Sequence, residues 1–280
     1  MLPPINNRIA NELKARPVQV DAAVALLDEG ATVPFIARYR KEATGGLDDV
    51  QLRTLEERLT YLRELEERRA AVLKAIEVQD KLAPALKQDI LAAETKTRLE
   101  DLYLPFRRKR RTKAQIAREA GLEPLAQALL DDPAQDPERT AEGYVAVDRG
   151  VADVKAALDG ARQILMERWA EDAELSGGVR DWLWANARLV ASVVEGKQQQ
   201  GTKFRDYLEF SERLQAIPSH RALALFRGRN EGVLHLTLET DEDDRGRSRP
   251  ESMIATRFGI RDQGRAADTV ALPASLLPSR

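Results

Sequence analysis

Six of the seven positions from Arg107 to Lys113 are basic: Arg107, Arg108, Lys109, Arg110, Arg111 and Lys113. Cations at this density hold phosphate oxygens by Coulomb attraction and displace counterions from a polyanion. The rest of the chain is not basic. Lys and Arg total 44 against 46 Asp and Glu, a formal net charge of −2 over 280 residues. A cationic knot in a near-neutral background points to a phosphate-bearing partner without making the whole molecule adhesive. Pro105 breaks the preceding helix, and Thr112 with Gln115 forms a capping box. The run is therefore expected on a loop entering a helix N-terminus, where free backbone N–H groups add to the side-chain charge. A solvated surface, or a dock for acidic helices of the same molecule, is the competing reading. Tyr103 and Phe106 are the aromatics nearby, so base stacking at the run is poorly supported.

Two further sets of cations share this ambiguity. Arg38, Arg40 and Lys41 close a short helix through Pro34–Tyr39. They could grip a DNA backbone, but cations answering the dipole of a helix C-terminus are the favoured reading, because no Asn, Gln or Arg set for base edges accompanies them. Arg227 and Arg229 flank Gly228 ahead of Asn230-Glu231-Gly232, which reads first as a helix stop and turn and second as an anion site.

Catalytic signals are weak. The chain has two histidines, His220 and His235. His220 follows Ser219 at an expected helix start, where Ser is a cap, and His235 alternates within a strand; no orienting group for a triad is evident. Asp241-Glu242-Asp243-Asp244 invites a calcium loop, yet Arg245 and Ser252 occupy ligand positions, so metal binding is not expected. Gly196-Lys197 resembles the end of a phosphate loop, but Ala191 replaces the first Gly and Gln198 the Ser/Thr. No cofactor or metal is expected, and the chain reads as a non-enzyme.

The elements that must position these residues are mainly α. Ile5, Ile9 and Leu13, then Val20, Val24 and Leu27, mark two helices, with Pro17 at a start and Gly30 at a stop. With Pro34–Tyr39 they make three short helices and allow a helix-turn-helix over 1–47. Asp48 with Gln51 caps a long helix whose stripe runs Leu52, Leu55, Leu59, Leu62, Leu65, then Val72, Leu73 and Ile76. That drift suits a straight helix laid on others rather than a coiled coil. Within it, Glu64 and Arg68 are spaced for an ion pair. Further helices are expected at about 81–93, 97–103, 113–120, 124–131, 151–174, 178–193, 204–216 and 220–227. One strand, Val233–Leu238, should face Val233, His235 and Thr237 one way and its Leu residues the other. The three tryptophans, Trp169, Trp182 and Trp184, are read as core. The fold class is thus a multi-helix array with a helix-turn-helix-like start (1–47), a helical scaffold (48–265) and a tail (266–280). There is no cysteine. No leader-like N-terminus or uncharged membrane-length run is seen, and a cytoplasmic protein is expected.

Three blocks carry a family resemblance. They are Val33-Pro34-Phe35-Ile36-Ala37-Arg38-Tyr39-Arg40-Lys41-Glu42 with Thr44-Gly45-Gly46-Leu47, Asp101–Phe106 through the basic run to Leu125, and Ile217–Leu234. They resemble the bacterial Tex family of transcription accessory proteins over about residues 5–265. The resemblance implies an N-terminal portion of a longer protein, lying before a ribonuclease-H-like domain, a helix-hairpin-helix domain and an OB-fold RNA-binding domain. It implies a non-catalytic scaffold that supports sequence-nonspecific RNA or DNA binding through its basic patches. An interaction module docking RNA polymerase or other domains of the same protein is the alternative. A sequence-specific DNA repressor finds little support.

Overall fold

A computed structural model of the chain describes residues 2–107, 111–132, 135–197, 200–240 and 249–260. It is mainly α, with one small sheet. Two compact units, Met1–Arg107 and Arg108–Arg280, divide the chain.

The first unit is built on α4. Helices α1 (Ile5–Leu13), α2 (Pro17–Asp28) and α3 (Val33–Tyr39) precede α4 (Asp49–Glu77), and α5 (Pro84–Ala92) and α6 (Lys96–Tyr103) follow it. The expected capping box forms: Asp48 Oδ1 accepts from the Gln51 N–H at 2.7 Å, and Gln51 Oε1 accepts from the Asp48 N–H at 3.1 Å. Leu52, Leu55, Leu59, Leu62, Leu65, Val72 and Ile76 form the buried seam of α4. Ile9 and Ala10, Val20, Ala23 and Val24, and Val33 and Ile36 are the buried positions of α1, α2 and α3, which pack on α4. One polar group enters the seam. Arg69 is buried, donating to the carbonyl oxygens of Ile90 at 3.1 Å and Ala93 at 2.6 Å, with Glu66 as its counter-ion. Those carbonyls lie at the end of α5, where a helix leaves its last acceptors without partners.

Charged tethers fasten the outer face of α4. Arg58 grips Glu12 (2.5 and 2.7 Å), Arg63 grips Asp28 (2.7 and 2.8 Å) and Arg68 grips Glu100 (2.6 and 3.1 Å). Each is a two-point guanidinium–carboxylate fork. Arg68 therefore does not take the intrahelical partner that its spacing suggested; Glu64 pairs with Lys96 instead. An inter-helix fork satisfies two N–H groups at once, which a flexible pair along one helix face does not.

The second unit has a helical part and a sheet part. Helices α7 (Lys113–Glu119), α8 (Glu123–Asp131), α9 (Pro137–Glu142) and α10 (Val154–Ala170) surround Ala117, Leu122, Leu125, Ala141, Ala161 and Ile164. Helix α9, not expected from periodicity, starts where Asp136 caps the N–H groups of Glu138 and Arg139. The single expected helix 151–174 ends early. Asp172 accepts from the Leu175 N–H at 2.8 Å and starts α11 (Ala173–Asn186).

Two expected helices give way in part to strands. β1 (Arg188–Val193) replaces the end of the segment 178–193, and β2 (Glu209–Arg213) the middle of 204–216, between 3₁₀ stretches at Gln200–Tyr207 and Leu214–Ala216. β1 is central, antiparallel to both β2 and β3 (Leu234–Glu239), with Ala191 opposite Phe210 and Leu236. A short run such as Leu189-Val190-Ala191 fits either a helix end or a buried strand by periodicity, and pairing on both edges decides for the strand. β3 exposes His235 and Thr237 and buries Leu234 as expected, but Val233 just before it is also buried. Helix α12 (Ser219–Asn230) covers the sheet through Leu225, and α13 (Arg249–Arg257) packs on α11. Gly228 is not a stop. It lies inside α12, where an added Cβ would come within 2.5 Å of Leu234 Cδ1. Ser219 likewise makes no side-chain cap, since α12 begins after Pro218.

Candidate nucleic-acid interface

The basic run begins where a 3₁₀ turn, Leu104–Phe106, ends at Arg107. Arg107 is exposed and its charge helps, after the Arg68 hydrogen bond, to hold the Glu100 carboxyl below its ordinary pKa against the opposing effect of burial. Arg108, Lys109 and Arg110 lie outside the described residues. Arg111 donates to Glu119 Oε2 from Nη2 at 2.5 Å and from Nε at 3.2 Å. Its side chain nevertheless stays 65% exposed, so this guanidinium is paired without being buried. Lys113 is exposed at the first turn of α7.

The expected N-terminal anion cradle is partly spoken for. Thr112 Oγ1 accepts from the Gln115 N–H at 3.0 Å and donates to Glu167 Oε1 at 2.9 Å. Arg118, in the last turn of α7, binds Glu123 at 2.8 Å and Glu167 at 2.5 Å. Burial opposes the Arg118 charge, but its two carboxylate partners outweigh that and raise its pKa. Acidic side chains therefore surround the α7 start, and the cations exposed there are Arg111 and Lys113.

The second set of cations lies at the end of α3. Arg38, Arg40 and Lys41 are exposed. Two aromatic rings, Phe35 and Tyr39, share that surface, 41% and 66% exposed. Their centroids are 5.4 Å apart, and the Arg40 guanidinium lies 5.6 Å from the centre of the Phe35 ring. Sequence reasoning missed these rings because it read the helix by its cations. The signal was the spacing: Val33 and Ile36 mark the buried face, and Phe35 and Tyr39, four apart, share a different one.

The third set is on α12. Arg227 and Arg229 are exposed, and Arg229 lies 5.4 Å over the exposed ring of Phe226. His220 and His235 are exposed as well. The three tryptophans are not all core. Trp184 is 57% exposed, and with Trp169, Met166, Leu175, Leu183 and Ile254 it lines an apolar cleft of about 620 Å³. Trp169 packs against Phe258 of the turn after α13, with ring centroids 5.8 Å apart and a 38° tilt. Among the described residues no group of three His, Asp or Glu side chains is placed to hold a metal ion, and no helix is long and apolar enough to cross a membrane. The acidic segment Asp241–Asp244, Gln198 of the phosphate-loop comparison and the tail from Ala266 lie outside the described residues.

Comparison with known proteins agrees with the sequence blocks. Residues 3–77 match the model of the Tex-like protein N-terminal domain, and residues 132–274 match the Tex central region-like model. Protein YhgF of Escherichia coli is 61% identical over 264 residues, covering 93% of this chain and 34% of the relative. Transcriptional accessory protein Tex of Neisseria gonorrhoeae is 58% identical over 272 residues, covering 96% of this chain and 36% of the relative. S1 RNA-binding domain-containing protein 1 of Homo sapiens is 29% identical over 219 residues, covering 75% of this chain and 22% of the relative. The chain thus spans about a third of the length of its bacterial relatives. The helical first unit matched by the N-terminal model, and the helix-and-sheet second unit matched mostly by the central one, together place this chain in the Tex family.

Proposed function

We propose that this chain is the non-catalytic N-terminal scaffold of a Tex-like transcription accessory factor and supports sequence-nonspecific binding of RNA or DNA. The observation that carries the reading is a contrast between two classes of arginine. Those that brace the first unit, Arg58, Arg63 and Arg68, are locked in two-point forks with carboxylates. Those at the end of α3 and on α12, Arg38, Arg40, Arg227 and Arg229, are exposed and sit in no such fork among the described residues, and the same holds for the neighbouring Lys41 and, at the basic run, Arg107 and Lys113; Arg111, paired with a single oxygen of Glu119, still leaves 65% of its side chain exposed. Exposed guanidinium and ammonium groups give affinity for a phosphate backbone without reading sequence. The names of the Tex and S1 RNA-binding relatives fit this role.

Binding of random single-stranded RNA and of duplex DNA, titrated with salt, tests it. The chain carrying Arg107→Ala, Arg108→Ala, Arg110→Ala and Arg111→Ala should bind every sequence more weakly. The slope of log affinity against log salt should shrink by about 0.7–0.9 for each phosphate that the variant no longer neutralises. Unchanged affinity at low salt removes the basic run from the interface.

A second reading has its own support. The apolar cleft lined by Trp169 and Trp184 offers a protein-docking surface, for RNA polymerase or for another domain of the same protein. A polymerase pull-down beside the gel shifts separates the two.

A further inference from the structure

We propose that α3 carries a base-stacking platform for single-stranded nucleic acid, made by Phe35 and Tyr39 and edged by Arg38, Arg40 and Lys41. The proposal deepens the nucleic-acid reading, on which it rests, at one of its three cationic patches, and names the strand state that the patch accepts.

The geometry begins with how α3 divides. Val33 and Ile36 are 3% and 0% exposed and fasten the helix to α4. That leaves Phe35 and Tyr39, one turn apart, facing outward. The core of the unit is complete without them. Two neighbouring rings at 41% and 66% exposure are an unusual surface for a chain with only 5% aromatic residues. They are also mutually ordered. The Phe35 and Tyr39 rings pack at 5.4 Å with a 48° tilt, and Arg40 lies over Phe35 at 5.6 Å. A pre-ordered aromatic pair loses little freedom when a flat ligand arrives.

Charge then selects the ligand. From Val33 to Leu47 there are three cations, Arg38, Arg40 and Lys41, and one carboxylate, Glu42, all exposed. The segment that carries Lys41 is held in place. Thr44 is fully buried and donates from Oγ1 to the Lys41 carbonyl at 3.1 Å, and Gln19 Nε2 donates to the Gly45 carbonyl at 2.8 Å. Flat apolar faces beside a fixed positive edge match unstacked bases on a phosphate backbone. A duplex hides its base faces, so the platform discriminates for single strands. The absence of Asn or Gln on the outer face leaves base identity unread. Phe226 with Arg229 on α12 is a lesser version, a single ring beside one guanidinium.

The test uses the 280-residue chain, a labelled twelve-nucleotide oligothymidylate and an abasic strand of equal length. Wild type should prefer the base-bearing strand. Tyr39→Ala and Phe35→Ala should each weaken oligothymidylate binding by about five- to a hundred-fold and leave abasic binding unchanged. Arg38→Gln with Arg40→Gln should weaken both strands. Tyr39→Trp should keep the affinity and add emission that the bound strand quenches, beyond any change in the wild-type tryptophans. Because Tyr39 is exposed, far-UV circular dichroism should be the same for all variants. Wild-type affinity in Tyr39→Ala, equal losses on both strands, or no added quenching overturns the platform. If the four-arginine variant of the basic run loses binding while Tyr39→Ala does not, the platform falls and the basic-run reading stands. The opposite pattern removes the basic run alone. A wild-type chain that binds neither strand overturns both, and points the exposed rings to a protein partner.

Discussion

Arg69 reaches across from the buried seam of α4 to the Ala93 carbonyl oxygen, 2.6 Å away. One side chain thereby ties the long helix to the end of α5. Its hydrogen bond to the Ile90 carbonyl and its ion pair with Glu66 compensate for placing a guanidinium among leucines. Arg69→Ala removes the side-chain donor from the Ala93 carbonyl, leaves the Ile90 carbonyl only the Ala93 N–H at 3.3 Å, opens a void in the seam, and should cost about 2–4 kcal/mol. Arg69→Lys has a single ammonium that cannot span both carbonyls and should fall between. Urea unfolding monitored by circular dichroism measures both, and an alanine variant within about 0.5 kcal/mol of wild type contradicts this account.

Acid should loosen the first unit in a defined window. The hydrogen bond from Arg58 lowers the Glu12 pKa, and that from Arg68 lowers the Glu100 pKa, in each case against the opposing effect of burial. A carboxylate depressed in the folded state contributes stability that is fully present above its unfolded value, 4.5 for a glutamate, and lost as pH falls through the lower folded value. Thermal midpoints should therefore drop below about pH 4.5. The double variant Glu12→Gln, Glu100→Gln should start lower at neutral pH and fall less on acidification. Parallel curves for the two proteins would assign the acid sensitivity elsewhere.

Two helical glycines should respond with opposite signs. Gly228 in α12 has Leu234 Cδ1 at 2.5 Å and Phe204 Cδ1 at 3.3 Å from the position of an added Cβ, whereas nothing lies within 4 Å at Gly177 in α11. Gly177→Ala removes backbone freedom from the unfolded chain and should stabilise by about 0.5–1 kcal/mol. Gly228→Ala must push α12 off the sheet or move Leu234, and should destabilise by about 1–3 kcal/mol. Differential scanning of the pair checks the signs directly.

Charge at the basic run should be separable from charge at Arg118. Arg118 is held by Glu123 and Glu167, while Lys113 is exposed. Lys113→Gln should lower nucleic-acid affinity at low salt with an unchanged thermal midpoint. Arg118→Gln should lower the midpoint and alter binding little. Exchange of these two outcomes in a paired binding and melting experiment would place the interface at the wrong residue.

Much of the helical frame is legible in the chain itself. The Asp48–Gln51 box, the Leu52-to-Ile76 seam and the positions of α1 to α3 follow from local capping and a 3.6-residue period, both short-range properties. The two strands β1 and β2 are not legible in the same way. Glu209–Arg213 is an edge strand of mostly polar residues, and only its pairing with Arg188–Ser192 makes it extended. The candidate surface divides along the same line. The cations can be counted from the chain, but whether each meets a carboxylate cannot be read there. Arg68 passes over Glu64 for Glu100, and Arg111 finds Glu119.

By itself the chain determined where α1 to α4 lie, which residues form the α4 seam and where positive charge gathers, because capping, periodicity and composition act over a few neighbouring residues. Tertiary structure alone decided which arginines are locked, that Arg69 enters the core, and that Phe35 and Tyr39 stay outside it. Those outcomes depend on partners that lie tens of positions away in the chain, and only packing brings such partners within reach of a hydrogen bond or a ring face.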